Sequence, residues 1–123
     1  MIGPEGAIIK VAFATWNNRI APQFDAAGHV CLVETKMGAI IHAHLEAFRT
    51  KLPVKKVCRL VELGVDTLVC GAISRPVQAL VEAQGIRVVA LVAGELSEVI
   101  NAWIKGGLDE SHFTMPGSRD TEW

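Results

Sequence analysis

Residues 66–92 read DTLVCGAISRPVQALVEAQGIRVVALV, and this stretch decides the fold. Asp66 to Gly71 (DTLVCG) is a short apolar run bounded by turn residues, and Ile86 to Val92 (IRVVALV) is a second, rich in β-branched side chains. Between them Ser74 to Gln84 predicts a helix. Ser74 is placed to cap it, Pro76 falls in the first turn where a missing N–H costs nothing, and Gly85 lies beyond its end. A strand, a helix and a strand joined this closely form a crossover unit, which sets the two strands parallel and the connection right-handed.

Working outward, Leu96, Val99, Ile100 and Trp103 repeat at helical spacing until Gly106-Gly107. On the other side, Pro53 to Leu63 places Val54, Val57, Cys58 and Val61 at i, i+3, i+4 and i+7, with Pro53 at the start and Gly64 at the stop. That is an amphipathic helix whose apolar stripe, Cys58 included, is expected to pack on the core. Further upstream, Val30–Thr35 and Ala39–Leu45 flank Lys36-Met37-Gly38, a hairpin connection in which Gly38 supplies a positive φ. Ala7 to Ala14 is the first strand, and the TWNNRIAP that follows carries turn chemistry. The order is βββαβαβα: an α/β domain whose mixed five-stranded sheet is covered by helices. Residues 1–108 form this single domain; residues 109–123 have no period and read as a tail whose first half packs on the domain and whose end is loose.

Composition narrows the function. The chain has 123 residues, half of them apolar, with 12 basic against 13 acidic residues and a net charge of −1. A nucleic-acid binder that tracks phosphates needs a basic footprint, which this balance lacks. No stretch of about 18 uncharged apolar residues suggests a membrane span, and the N-terminus has no signal-peptide core. The three cysteines, Cys31, Cys58 and Cys70, make neither a disulfide framework nor a CxxC pair. A soluble protein of the reducing cytoplasm is expected.

In an open α/β sheet, ligands collect beyond the carboxyl ends of the strands, where helix N-termini present unpaired N–H groups and partial positive charge. Three loops should converge there: Thr15–Asp25, Cys70–Pro76 and Ala93-Gly94-Glu95. The first offers Trp16, Asn17, Asn18 and Arg19; the second offers Cys70, the Gly71 backbone, Ser74 and Arg75. Together they describe an anion-accepting pocket with one thiol. Taken singly, the asparagines make a turn, Ser74 caps a helix, Arg75 is solvated and Cys70 is a small buried hydrophobe. Next to a helix N-terminus, however, Cys70 would favour its thiolate and become a candidate metal ligand. His42 and His44 lie two apart on a strand, so they share a face and could hold a divalent metal if a third ligand approached; a solvated edge-strand face, with Ile41, Ala43 and Leu45 turned inward, explains them equally. Cys31 and Cys58 read as packing residues, and His29 and His112 as surface residues.

Two-metal phosphoryl chemistry needs acidic residues beginning on the first strand, and Ala7–Ala14 has none. Phosphate-loop, dinucleotide, nucleophile-elbow and HExxH motifs are also missing from the sequence. A binding protein is expected rather than an enzyme.

Two motifs carry a resemblance: R-I-A-P-Q-F-D at Arg19 to Asp25 and G-A-I-S-R-P at Gly71 to Pro76. With the surrounding KVAFATW and FTMPG runs, the chain from Lys10 to Gly117 resembles the dinitrogenase iron-molybdenum cofactor biosynthesis family. The resemblance implies a ribonuclease H-like three-layer fold without nuclease residues. It also implies a bound iron-sulfur or molybdenum-containing metal-sulfur cluster, bordered by Trp16–Asp25 and Cys70–Pro76, exchanged with cluster donor and acceptor proteins. Some carriers in the family place a histidine ligand immediately before the motif's phenylalanine; this chain has Gln23 before Phe24, and Ser118 follows Met115-Pro116-Gly117 where many relatives have a cysteine. Two readings stand from this resemblance: a small carrier of an anionic cluster, with Arg19 and Arg75 as electrostatic clamps, or a non-catalytic regulatory or interaction module of the same fold that has lost cluster binding.

Overall fold

The computed structural model describes residues 7–106. The sheet is built around β1 (Ile8–Trp16), whose Val11, Ala12, Phe13 and Ala14 are all fully buried, as befits a central strand covered on both faces. β2 (Arg19–Ile20) folds back on the end of β1; β3 (His29–Lys36) and β4 (Ala39–Ala47) form the antiparallel hairpin; β5 (Thr67–Val69) and β6 (Arg87–Val89) are the parallel members. Strand order is β4-β3-β1-β5-β6, with β1 antiparallel to β3 and parallel to β5. α1 (Pro53–Glu62) and α2 (Arg75–Ala83) pack on one face, against Ala12, Ala14, Leu32 and Leu68. α3 (Leu96–Ile104) covers the other, against Val11, Phe13, Val33 and Val69. The mixed α/β architecture and the parallel crossovers agree with the sequence reading.

Three expectations are corrected. Among the described residues the sheet has six strands rather than five, because β1 runs on through Thr15 and Trp16 into a hairpin. Asn17 (φ 55°) and Asn18 (φ 65°) both adopt the left-handed conformation, which asparagine tolerates and which suits the twist of a two-residue hairpin turn. Met37 (φ 55°) and Gly38 (φ 79°) repeat the device between β3 and β4.

On α1 the face turned to the core is not the predicted stripe. Val57 is buried as expected, but Val54, Cys58 and Val61 are exposed, whereas Lys56 and Leu60 are buried. The pattern misleads because one of the inward positions is a lysine, whose aliphatic stem can pack in a core while its ammonium finds oxygen acceptors. The third correction concerns β4. Ile41 and Leu45 are exposed rather than turned inward, and no β4 residue joins either core cluster. Among the described residues a single helix, α3, packs on that face, against the centre of the sheet and not against β4. The expected tail, residues 109–123, lies outside the described residues together with His112 and Ser118.

The α1 correction has a direct consequence for neighbouring residues. Leu60→Ala should cost about 2–5 kcal/mol, because Leu60 is 0% exposed, while Val61→Ala, at a residue 46% exposed, should stay within about 0.5 kcal/mol. Urea denaturation of the two variants checks the assignment; equal losses would restore the predicted stripe.

Candidate functional site

Backbone hydrogen bonds bring the three expected loops together. Ile20 N–H donates to Gly94 O at 3.0 Å and Leu96 N–H to Asn18 O at 3.0 Å, tying the first loop to the third. Phe24 N–H donates to Ala72 O and Ala72 N–H to Pro22 O, both at 2.8 Å, tying the first to the second. The contact is so close that a Cβ at Gly71 would sit 2.5 Å from the carbonyl oxygens of both Ala21 and Pro22. Only glycine lets the two chains approach this far.

The crossing leaves two adjoining cavities that share Gln23. One, of about 360 Å³, is lined by Trp16, Ala21, Pro22, Gln23, Ala26 and Ala27. The other, of about 380 Å³, is lined by Gln23, Asp25, Ala72, Ile73 and Ser74. Trp16 also borders a third cavity of about 320 Å³ on the other side of the hairpin, with Asn17, Asn18 and His29. Trp16, Asn17, Asn18 and Arg19 thus stand together at the hairpin tip, exposed; Arg75 is exposed at the start of α2, beside the Ser74 cavity.

Two predicted site residues do not behave as expected. Ser74 precedes α2 but makes no side-chain cap bond. Its N–H (3.1 Å) and Oγ (2.7 Å) instead donate to the carboxylate of Asp25. An aspartate of the chain therefore occupies the helix N-terminus where a ligand anion was expected, a favourable place for negative charge. Burial works against this carboxylate's ionisation, but the Ser74 hydrogen bonds outweigh it and hold Asp25 below the ordinary aspartate range.

Cys70 is 0% exposed and belongs to the core under α1 and α2. Burial, with a smaller contribution from the Asp25 charge, pushes its thiol up to about 12, so the expected thiolate is overturned. Desolvation outweighs the nearby helix dipole. Cys31 is likewise buried, with its thiol pushed up by burial; Cys58 is exposed, which corrects its assignment to packing.

His42 and His44 do share a face, with ring centroids 4.8 Å apart. His44 Nε2 lies 2.8 Å from Glu46 Oε2, and Arg59 Nη2 donates to Glu46 Oε1 at 2.9 Å, so the histidine is drawn into a charged cluster between β4 and α1. Among the described residues no group of three or more His, Cys, Asp and Glu is placed to hold a metal ion.

The sequence reading gives no individual role to two residues that shape the site, although Asp25 ends the segment expected to border it. Asp25 had a signal, as the last residue of the Arg19–Asp25 motif. Lys56 had none, because a lysine on a helix ordinarily reads as solvated.

The described residues make a three-layer α/β domain with shallow, loop-built cavities beyond the ends of its parallel strands, the place where open α/β sheets collect ligands. Residues 7–106 match the family described as dinitrogenase iron-molybdenum cofactor, and the chain belongs to it. Comparison with curated proteins gives no match. Among solved structures, PH0822 is similar at a TM-score of 0.77, with 20% identity over 81% of this chain and 94% of that one. MJ0327 from Methanocaldococcus jannaschii follows at 0.68, with 17% identity over 83% and 93%. The apo form of the orange protein from Desulfovibrio gigas gives 0.67, with 14% identity over 84% and 92%. At these identities the likeness carries the fold. No helix among the described residues is long and apolar enough to cross a membrane.

The Asp25–Ser74 contact yields a pH signature. Because Asp25 is depressed in the folded state, its contribution is fully present above the unfolded-state value near 3.8 and disappears as pH falls through the lower folded value. Asp25→Asn should cost about 1 kcal/mol at neutral pH, the size of a lost helix cap. Denaturant curves of wild type and variant should converge as pH falls through the folded-state value; a gap that persists once the carboxyl is protonated would show that the charge is not what matters.

Proposed function

We propose that this chain is a small cytoplasmic, non-catalytic protein that holds an anionic iron-sulfur or molybdenum-containing metal-sulfur cluster as cargo and passes it between donor and acceptor proteins of cofactor biosynthesis or storage. Family membership supports the class of cargo. The observation that carries the reading is the pair of cavities meeting at Gln23, between the two motif loops, at the position before Phe24 where some carriers place a histidine ligand.

The donor set available to the cargo differs from a ligating site. Cys70 is withdrawn into the core, and Asp25 repels an anion from the Ser74 side. What remains in the Trp16–Ala27 cavity is the Trp16 indole and the side-chain amide of Gln23; the Asn17 and Asn18 amides line the cavity on the other side of Trp16, and the exposed Arg19 at the hairpin tip and Arg75 at the start of α2 supply positive charge at the rim. Such groups hold a polyanionic cluster through charge and hydrogen bonds to its sulfides, without a metal–protein bond. Binding of that kind is reversible, as delivery requires.

Anaerobic incubation with tetrathiomolybdate, or with iron and sulfide, followed by desalting should leave visible absorption on the protein. Arg19→Ala should weaken retention by about tenfold, roughly the 1.4 kcal/mol of one charge-assisted contact. Gln23→His should strengthen it by restoring a ligand, whereas Cys70→Ser should leave retention per folded molecule unchanged. Absence of uptake from every source would overturn the reading and leave the interaction module.

A further inference from the structure

Lys56 is 2% exposed, yet it has no carboxylate within salt-bridge distance among the described residues. Its Nζ donates to the backbone oxygen of Asp25 at 2.8 Å and to that of Phe24 at 3.4 Å. It lies 5.8 Å from the centroid of the Phe24 ring and 5.5 Å from that of Phe48, two rings that pack edge to face. Burying an ammonium on neutral acceptors is expensive, and a methionine of similar length would fill the same space without that cost. The position of the charge therefore calls for an explanation other than packing.

The geometry supplies one. The residues Lys56 grips are the two at the turn where the first motif loop leaves the crossing: Phe24 N–H is bonded to Ala72 O on its outer side, and the Asp25 side chain reaches Ser74. A chain of contacts thus runs from α1 through Lys56, the Phe24-Asp25 backbone and the Asp25 carboxylate to the N–H and hydroxyl of Ser74, the residue just ahead of α2. We infer that Lys56 is a positioning residue of the cleft: from within the core it fixes the Phe24-Asp25 backbone so that the Asp25 carboxylate stays on Ser74, closing the helix N-terminus to anions and confining an anionic cargo to the Trp16–Ala27 side. The part concerning cargo rests on the carrier reading; the mechanical part does not.

Lys56→Met and Asp25→Asn in the full chain separate the two. Backbone amide exchange and titration with tetrathiomolybdate are followed residue by residue by NMR. In folded Lys56→Met, exchange at Ser74 should rise at least about tenfold while Val81 in the α2 core is unchanged. In wild type, tetrathiomolybdate should perturb Trp16, Ala26 and Ala27 but not Ser74; in both variants Ser74 should respond as well. Unchanged Ser74 exchange in folded Lys56→Met, or an equal Ser74 response in wild type, overturns the inference. Should Lys56→Met not fold, Asp25→Asn decides the steering by the same titration, and a Ser74 response that stays absent there overturns it. Binding of tetrathiomolybdate nowhere on any of the three proteins overturns the carrier reading, and the exchange comparison still decides the role of Lys56.

Discussion

The site depends on one close approach, the crossing of Ala21-Pro22 over Gly71-Ala72. With no Cβ at Gly71, two backbones meet at a distance any other residue would forbid, and two hydrogen bonds of 2.8 Å hold them there. This couples the hairpin tip at the end of β1 to the start of α2, elements separated by some fifty residues of chain and by the whole β3-β4 hairpin and α1. The cavities on either side of Gln23 are the space the crossing leaves. Apart from Trp16, Gln23 and Ile73, their walls are alanines, a proline and other short side chains on backbone held by the crossing, so little side-chain ordering opposes occupancy.

Much of this was legible in the sequence because it depends on local rules. Alternation between period 2 and period 3.6, with Pro53, Gly64, Pro76 and Gly85 as punctuation, fixed the elements, and the crossover rule fixed the parallel strands. The convergence of the three loops followed from topology alone. What could not be read is whatever depends on the direction of a single side chain in three dimensions. Lys56 points inward on a helix where a charge normally marks the solvent face, so α1 was placed with the wrong stripe toward the sheet. Leu45 lies on a face where, among the described residues, one helix packs against the sheet centre and not against β4, so alternation on β4 does not mean burial. The Asn17-Asn18 pair was recognised as turn chemistry, but that it closes a hairpin and adds a sixth strand depends on register with Arg19, a tertiary fact.

The same division explains the candidate site. Trp16, Arg19, Gly71 and Arg75 were identified from where they fall relative to strand ends, and they stand there. At Cys70 two effects oppose, a helix N-terminus that lowers a thiol's pKa and an apolar strand that raises it, and sequence supplies no way to rank them. Full burial ranks them: a thiolate in this core is disfavoured by desolvation, and the nearby Asp25 carboxylate adds to the effect.

Asp25 gives the site its polarity. An open helix N-terminus would attract any small anion, and the cell is rich in phosphate and carboxylates. By placing the Asp25 carboxylate on the Ser74 N–H just ahead of α2, the chain sets its own negative charge at that helix end, lowers that general affinity and leaves the cationic groups at the rim of the cleft. On the carrier reading, discrimination then rests on size and surface character: a soft, sulfide-faced cluster can lie against the Trp16 indole and the alanine wall, where a compact, strongly hydrated phosphate would lose its water for little in return. A site organised in this way is weak for abundant anions and adequate for a larger, less hydrated one, which is the balance a protein needs if it is to hold a cargo and still give it up.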